Sequence, residues 1–63
     1  MNVPEPHRLD RYSIGVASDA QTQPVVITYM TLRTAREDAR ARIAEGQRVL
    51  WLANINTGRE HRI

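Results

Sequence analysis

The stretch TLRTAREDARARIAEGQRVLW, residues 31–51, decides the fold, because a helical pattern within it gives way to the pattern of a strand. Thr31 precedes the helical part and predicts its N-cap, and Gly46 is the type of residue that commonly ends a helix. Thr34 offers a competing start through a capping box with Glu37, but only Thr31 keeps the first apolar residue inside the helix. The apolar residues recur at spacings of three and four, the period of one helix side: Leu32, Ala35, Ala39 and Ile43.

Strand patterns lie on both sides of this helix. Residues 11–17 alternate larger apolar with small side chains, and Gly15 is a place where another group can approach the backbone closely. Residues 25–31 are rich in β-branched and aromatic types, and the polar loop before them ends in Pro24. After the helix, residues 47–55 predict a third strand, because apolar residues occupy both of its alternating sides.

The end of the sequence predicts a short hairpin. Residues 56–58, Asn-Thr-Gly, are typical of a three-residue turn with glycine in the left-handed position. Residues 59–63 can return as a charged edge strand, which discourages pairing with other chains.

Together these elements predict an α+β fold. We expect a small two-layer ββαβ(β) domain over residues 11–63, with one helix on a mostly antiparallel sheet of three or four strands in the order 2-1-3-4. Residues 1–10 contain Pro4 and Pro6 and predict a flexible tail.

The third strand predicts more apolar surface than one helix can cover. Alternation places Val49, Trp51, Ala53 and Ile55 on one side, and Leu50 and Leu52 on the other. One side then needs a second cover, which is either another protein molecule or tail residues such as Val3 and Leu9. The candidate protein-interaction residues are Tyr12, Tyr29, Val49, Leu50, Trp51 and Leu52.

The three aromatic residues allow two interpretations. Tyr12, Tyr29 and Trp51 could stack on nucleic-acid bases, as aromatic residues on some sheets do. Core packing is the favoured interpretation, because a 63-residue protein can hardly leave its only tryptophan out of the core.

The charges permit a nucleic-acid partner without requiring one. All nine basic residues are arginine, so a net charge of only +2 accompanies a sequence pI near 9.9. On the helix, acidic residues spaced to pair with arginines indicate a solvated face: Glu37 with Arg33 and Arg40, and Asp38 with Arg42. The alternative is a weak nucleic-acid-binding patch made of Arg36, Arg40, Arg48, Arg59 and Arg62.

Catalytic and metal-binding patterns are not found in the sequence. It contains no cysteine, its two histidines lie far apart at His7 and His61, and its three glycines form no phosphate-binding loop. No stretch has the roughly 18 consecutive apolar residues of a membrane span, and no signal peptide is evident. We therefore expect a cytoplasmic, non-enzymatic protein-interaction module of bacterial or phage type, homodimeric through its sheet, without metal, cofactor or membrane contact.

Overall fold

The computed structural model describes residues 11–19 and 22–63. It contains strands β1 (Tyr12–Val16) and β2 (Val25–Tyr29), helix α1 (Leu32–Ala44) and strand β3 (Val49–Asn54). The predicted tail, residues 1–10, lies outside the described part of the chain, and so do the alternative covering residues Val3 and Leu9.

The three strands form one antiparallel sheet in the order β2-β1-β3, with α1 packed on one side of it. This confirms the predicted α+β fold and the predicted order of the first three strands. The central strand β1 pairs Ile14 with Ile27 on one side and with Leu52 on the other. A row of apolar side chains therefore crosses the sheet beneath the helix.

The pairing of β1 with β3 is irregular near the start of β3. Gly15 pairs with Trp51, but the next residue, Val16, pairs with Val49, so one residue of β3 is skipped. Such an irregularity shifts the alternation of side chains. Val49 consequently packs against the core together with Leu52, and the predicted grouping of Val49 with Trp51 is wrong.

The core under the helix is small. Its helical members are both alanines, whose short side chains allow the helix to lie close to the sheet. Among the buried core residues, the largest fully buried side chains are those of Ile14 and Leu52. The buried apolar residues are Ile14, Val16, Ala35, Ala39 and Leu52.

Both ends of α1 are capped as the sequence predicts. The Thr31 hydroxyl accepts a hydrogen bond from the Thr34 N–H at 3.1 Å, so Thr31 is the N-cap. At the other end Gly46 has φ +92, and the Gln47 N–H bonds the carbonyl of Arg42 at 2.9 Å, the pattern of a Schellman motif. Leu32 is half-buried as expected, but Ile43 is exposed, so the predicted stripe is wrong at its last residue. In the last helical turn Arg42 is half-buried instead.

The predicted fourth strand is reduced to a single bridge between Ala53 and Glu60. The turn before it has Gly58 at φ +75, as predicted, and the Asn54 side chain accepts hydrogen bonds from two turn N–H groups at 2.8 and 3.1 Å. The chain then passes beneath the helix, where Ile63 packs against the core.

Candidate interaction surface

The side of the sheet away from α1 has no helix over it in the described part of the chain. The strand register places three residues in each of two rows on this side, which we call the open face. One row is Val26, Gly15 and Trp51, and the other is Thr28, Ser13 and Ala53.

Trp51 lies across the centre of the open face. Its ring atoms are closer than 3.0 Å to the position that a β-carbon at Gly15 would take, so only glycine leaves room for the indole. The indole Nε1 donates a hydrogen bond to the Ser13 hydroxyl at 3.2 Å. The close approach predicted at Gly15 is therefore made by Trp51, and the favoured placement of this tryptophan in the core is wrong.

The indole remains half-exposed while Ser13 and Gly15 beneath it are buried. One ring face thus covers the central strand and leaves further aromatic surface available to a partner. Tryptophan combines a large apolar area with one polar N–H, and this explains its frequent occurrence at protein interfaces. Here the N–H is already bonded within the chain, so contact with an apolar partner leaves no polar group unsatisfied.

Exposed aliphatic residues adjoin the open face. Val26, in the same row as Gly15, is 55% exposed. Val25 is also exposed, but it pairs with the core residue Val16 and lies on the α1 side of the sheet. Leu50 is 47% exposed and lines a shallow depression with Pro24 and Arg48, next to the loop between β1 and β2. We call Val26, Leu50 and Trp51 the apolar surface.

The other residues predicted for protein interaction lie beneath α1. Leu52 is 1% exposed and belongs to the core. Val49, Tyr12 and Tyr29 are half-buried and pack against it, and the Tyr12 ring also meets the His61 ring edge to face at 5.8 Å. Leu50 and Trp51 are thus the two predicted interaction residues that belong to the apolar surface.

Tyr29 connects β2 to the helix. Its hydroxyl donates to Asp38 Oδ2, and the same carboxylate oxygen accepts a bond from Arg42 Nε at 2.9 Å. Burial, together with the neighbouring Asp38 carboxylate, raises the pKa of Tyr29 to about 12. The hydrogen bonds from Tyr29 and Arg42 lower the pKa of Asp38. The predicted Asp38–Arg42 pair is confirmed. The hydrogen bond between Tyr29 and Asp38 connects β2 to α1.

Two arginines of α1 donate hydrogen bonds to the main chain of residues 62 and 63. Arg36 Nε donates to the main-chain oxygen of Arg62 at 3.0 Å, and Arg40 Nε donates to that of Ile63 at 2.8 Å. The predicted pair of Arg33 and Glu37 forms at 3.4 Å. Arg40 was predicted to pair with Glu37 as well, and it reaches the main chain instead.

The arginines predicted to bind nucleic acid occupy two places. The bonds to the main chain bring Arg36 and Arg40 next to Arg62, and Arg59 lies nearby in sequence on the last hairpin. Arg48 lies apart from them, at the depression beside Leu50.

Sequence reasoning missed the parts of the open face that β1 and β2 contribute. Ser13, Gly15, Val26 and Thr28 alternate with core residues along these strands, so their spacing contained the signal. The small residues at 13 and 15 also indicated that another side chain packs over them. The sequence does not show which one, because it does not show how β1 and β3 align.

Within the described residues, histidines and acidic side chains form no group that could hold a metal ion. No helix in the same part of the chain is both long and apolar enough to cross a membrane. Comparison with families of known proteins, with curated proteins and with solved structures finds no match to this chain.

Proposed function

We propose that this protein is a non-catalytic protein-interaction module that associates with a second copy of itself through its sheet. The observation that carries the proposal is the position of Trp51, which lies over Gly15 outside the core, with the exposed Val26 in the same row. Contiguous apolar surface of this kind usually marks an interaction site in a small protein.

The size of the core supports association. A domain of about 60 residues buries only about 60% of the surface that its unfolded chain exposes, and small domains commonly gain stability from disulfides, metals or oligomers. This chain has no cysteine. Only two large side chains in the described core, Ile14 and Leu52, are fully buried. Burial of Val26 against a second copy would add apolar contact that the isolated chain lacks.

Sedimentation equilibrium at micromolar concentrations tests this function. We expect a mass near twice the 7.2 kDa of one chain. Val26→Ser should raise the dissociation constant, because it removes apolar area from the interface. Ile43→Ser and Ile55→Ser are matched controls, since these residues are 47% and 49% exposed and lie outside the apolar surface. A chain that stays monomeric, or controls that dissociate the dimer as strongly, would contradict the proposal.

A second candidate is binding to a nucleic-acid backbone, favoured by the bonds that bring Arg36 and Arg40 to the main chain at residues 62 and 63. Three guanidinium groups near one end of the chain can contact successive phosphates. Opposing this function, the two helical arginines already bond main-chain oxygens, so part of their donor capacity is used.

Fluorescence anisotropy with a labelled DNA duplex tests the second candidate. Binding should weaken with salt, with a slope of about 0.9 per phosphate contacted. The double variant Arg59→Ala with Arg62→Ala should abolish binding and leave the oligomeric state unchanged. Absence of binding at about 50 mM salt excludes this candidate.

A further inference from the structure

The two edges of the sheet differ in their protection. At the β3 edge the chain returns, bridges Ala53 to Glu60, and places charged residues along the outside. The Asn54 N–H bonds the Arg59 carbonyl at 2.8 Å, and the His61 N–H bonds the Leu52 carbonyl at 2.7 Å. Backbone groups at the Leu52–Asn54 end of this edge are therefore already used.

Within residues 11–19 and 22–63, nothing protects the β2 edge in this way. No strand of the described residues pairs with its outer side, because β2 is the first strand in the order β2-β1-β3. Its sequence, Val-Val-Ile-Thr-Tyr, contains no charge, proline or glycine. Natural proteins usually protect an edge strand with charges, proline, a bulge or a cover, and an unprotected apolar edge is suited to adding another strand.

A second copy fits this edge by symmetry. Two β2 strands related by a two-fold axis run antiparallel, and their side chains share the correct faces only when opposing residue numbers have an even sum. The sum that pairs all five residues is 54, which places Ile27 on the axis. Val26 then opposes Thr28 of the second copy, on the open face. Because β2 is uncharged, this alignment places no like charges opposite each other.

We propose that two copies join through their β2 edges, antiparallel and centred on Ile27, to form a continuous six-stranded sheet. This inference rests on the self-association proposed above and defines its geometry. The pairing uses the β2 edge of each copy, which no described strand covers, and both outer edges of the dimer are then β3 edges, where the returning chain bonds Leu52 and Asn54. The assembly therefore closes at two copies and brings the two open faces into one surface.

A charge exchange on the open face tests the alignment. In Val26→Lys/Thr28→Lys each lysine opposes a lysine across the two-fold axis. In Val26→Lys/Thr28→Glu each lysine opposes a glutamate. Residues 26 and 28 are exposed in the single chain, so circular dichroism should show both variants folded. By sedimentation equilibrium, the dissociation constant of the lysine–lysine variant should exceed that of the lysine–glutamate variant about tenfold or more.

The outcomes separate this inference from the proposed function. If the wild-type chain is a dimer and the two variants have equal dissociation constants, the β2 pairing is overturned and self-association is retained. A monomeric wild-type chain would overturn both, and the β2 edge would then be left to residues 1–10 or to a strand of another protein. A wild-type dimer that only the lysine–lysine variant disrupts supports the six-stranded sheet.

Single-cysteine variants provide a readout that does not depend on charge. The chain has no cysteine, so a disulfide between two chains can form only between the same position of both copies. Directly opposed residues of antiparallel strands have Cα atoms about 4.5–5.5 Å apart, within the range that a disulfide needs. With oxidised glutathione as the oxidant, Ile27→Cys should form a disulfide-linked dimer faster than Leu50→Cys or Ile43→Cys. Faster linkage through Leu50→Cys would overturn the edge pairing and place the second copy on the open face.

Discussion

At the residue scale, Gly15 determines whether Trp51 can lie on the open face. In Gly15→Ala the new methyl group would overlap the indole, which is closer than 3.0 Å to that position. We expect the free energy of unfolding to fall by about 1–3 kcal/mol, as for other overpacked sites. The Trp51 emission maximum should shift to longer wavelength as the displaced ring becomes more exposed, and urea unfolding followed by fluorescence measures both effects.

Gly46→Ala is the control for this experiment. Gly46 has φ +92, so alanine is strained there, but nothing lies within 4 Å of its added carbon. The control should lose stability without a change in Trp51 emission. If Gly15→Ala leaves both emission and stability unaltered, the packing of Trp51 on Gly15 is incorrect. The sequence predicted a close approach at Gly15, but it could not identify Trp51, since that contact depends on how β3 aligns with β1.

At the scale of elements, the Asp38 carboxylate connects α1 to β2 through its hydrogen bond with Tyr29, and it makes the stability of the fold sensitive to acid. Its pKa is lower in the folded chain because Tyr29 and Arg42 donate hydrogen bonds to it. As the pH falls below about 4, the unfolded chain takes up this proton first, so stability is lost as the pH falls through the folded-state pKa. Urea unfolding at pH 7 and pH 3 should show a smaller loss of stability in Asp38→Asn. An equal loss in both proteins would exclude this role for Asp38.

Tyr29, on the other side of the same hydrogen bond, makes the stability of the fold sensitive to high pH. Its pKa is raised to about 12, chiefly by burial, so the unfolded chain loses the phenolic proton first as the pH rises above about 10. The stabilising contribution is therefore complete below pH 10 and declines as the pH approaches 12. Tyr29→Phe should show a flatter decline of unfolding free energy between these values. Parallel curves for the two proteins would show that Tyr29 titrates alike in both states.

Elements defined by local chemistry were predictable from the sequence, and those defined by long-range alignment were not. Thr31 and Gly46 mark the helix because capping depends on neighbouring residues. Ile43 fits the helical period but is exposed, whereas Arg42 beside it is half-buried and bonds Asp38 and Gln47. The skipped residue at the start of β3 has no local signature, so the side on which Val49 lies could not be derived from alternation.

At the scale of the whole molecule, association through β2 links folding to concentration. Two chains that fold as a dimer are stabilised by mass action, so the midpoint of thermal unfolding should rise with protein concentration. A hundredfold increase corresponds to about 2.7 kcal/mol for each dimer. Divided between the two chains of the dimer, this free energy raises the midpoint of thermal unfolding by roughly 5 °C or more. Circular dichroism melts of the wild-type chain at about 5 and 500 µM measure the rise.

The two lysine variants show whether the dependence of the unfolding midpoint on protein concentration originates at β2. Val26→Lys/Thr28→Lys should show a smaller rise of the midpoint over this range, because its copies associate about tenfold or more less tightly. Val26→Lys/Thr28→Glu should keep more of the rise, since its charges attract across the two-fold axis. If the wild-type midpoint is independent of concentration, the small core around Ile14 and Leu52 is sufficient for the folded state, and association is not needed for stability. An equal rise in both variants would instead place the contact between copies away from β2.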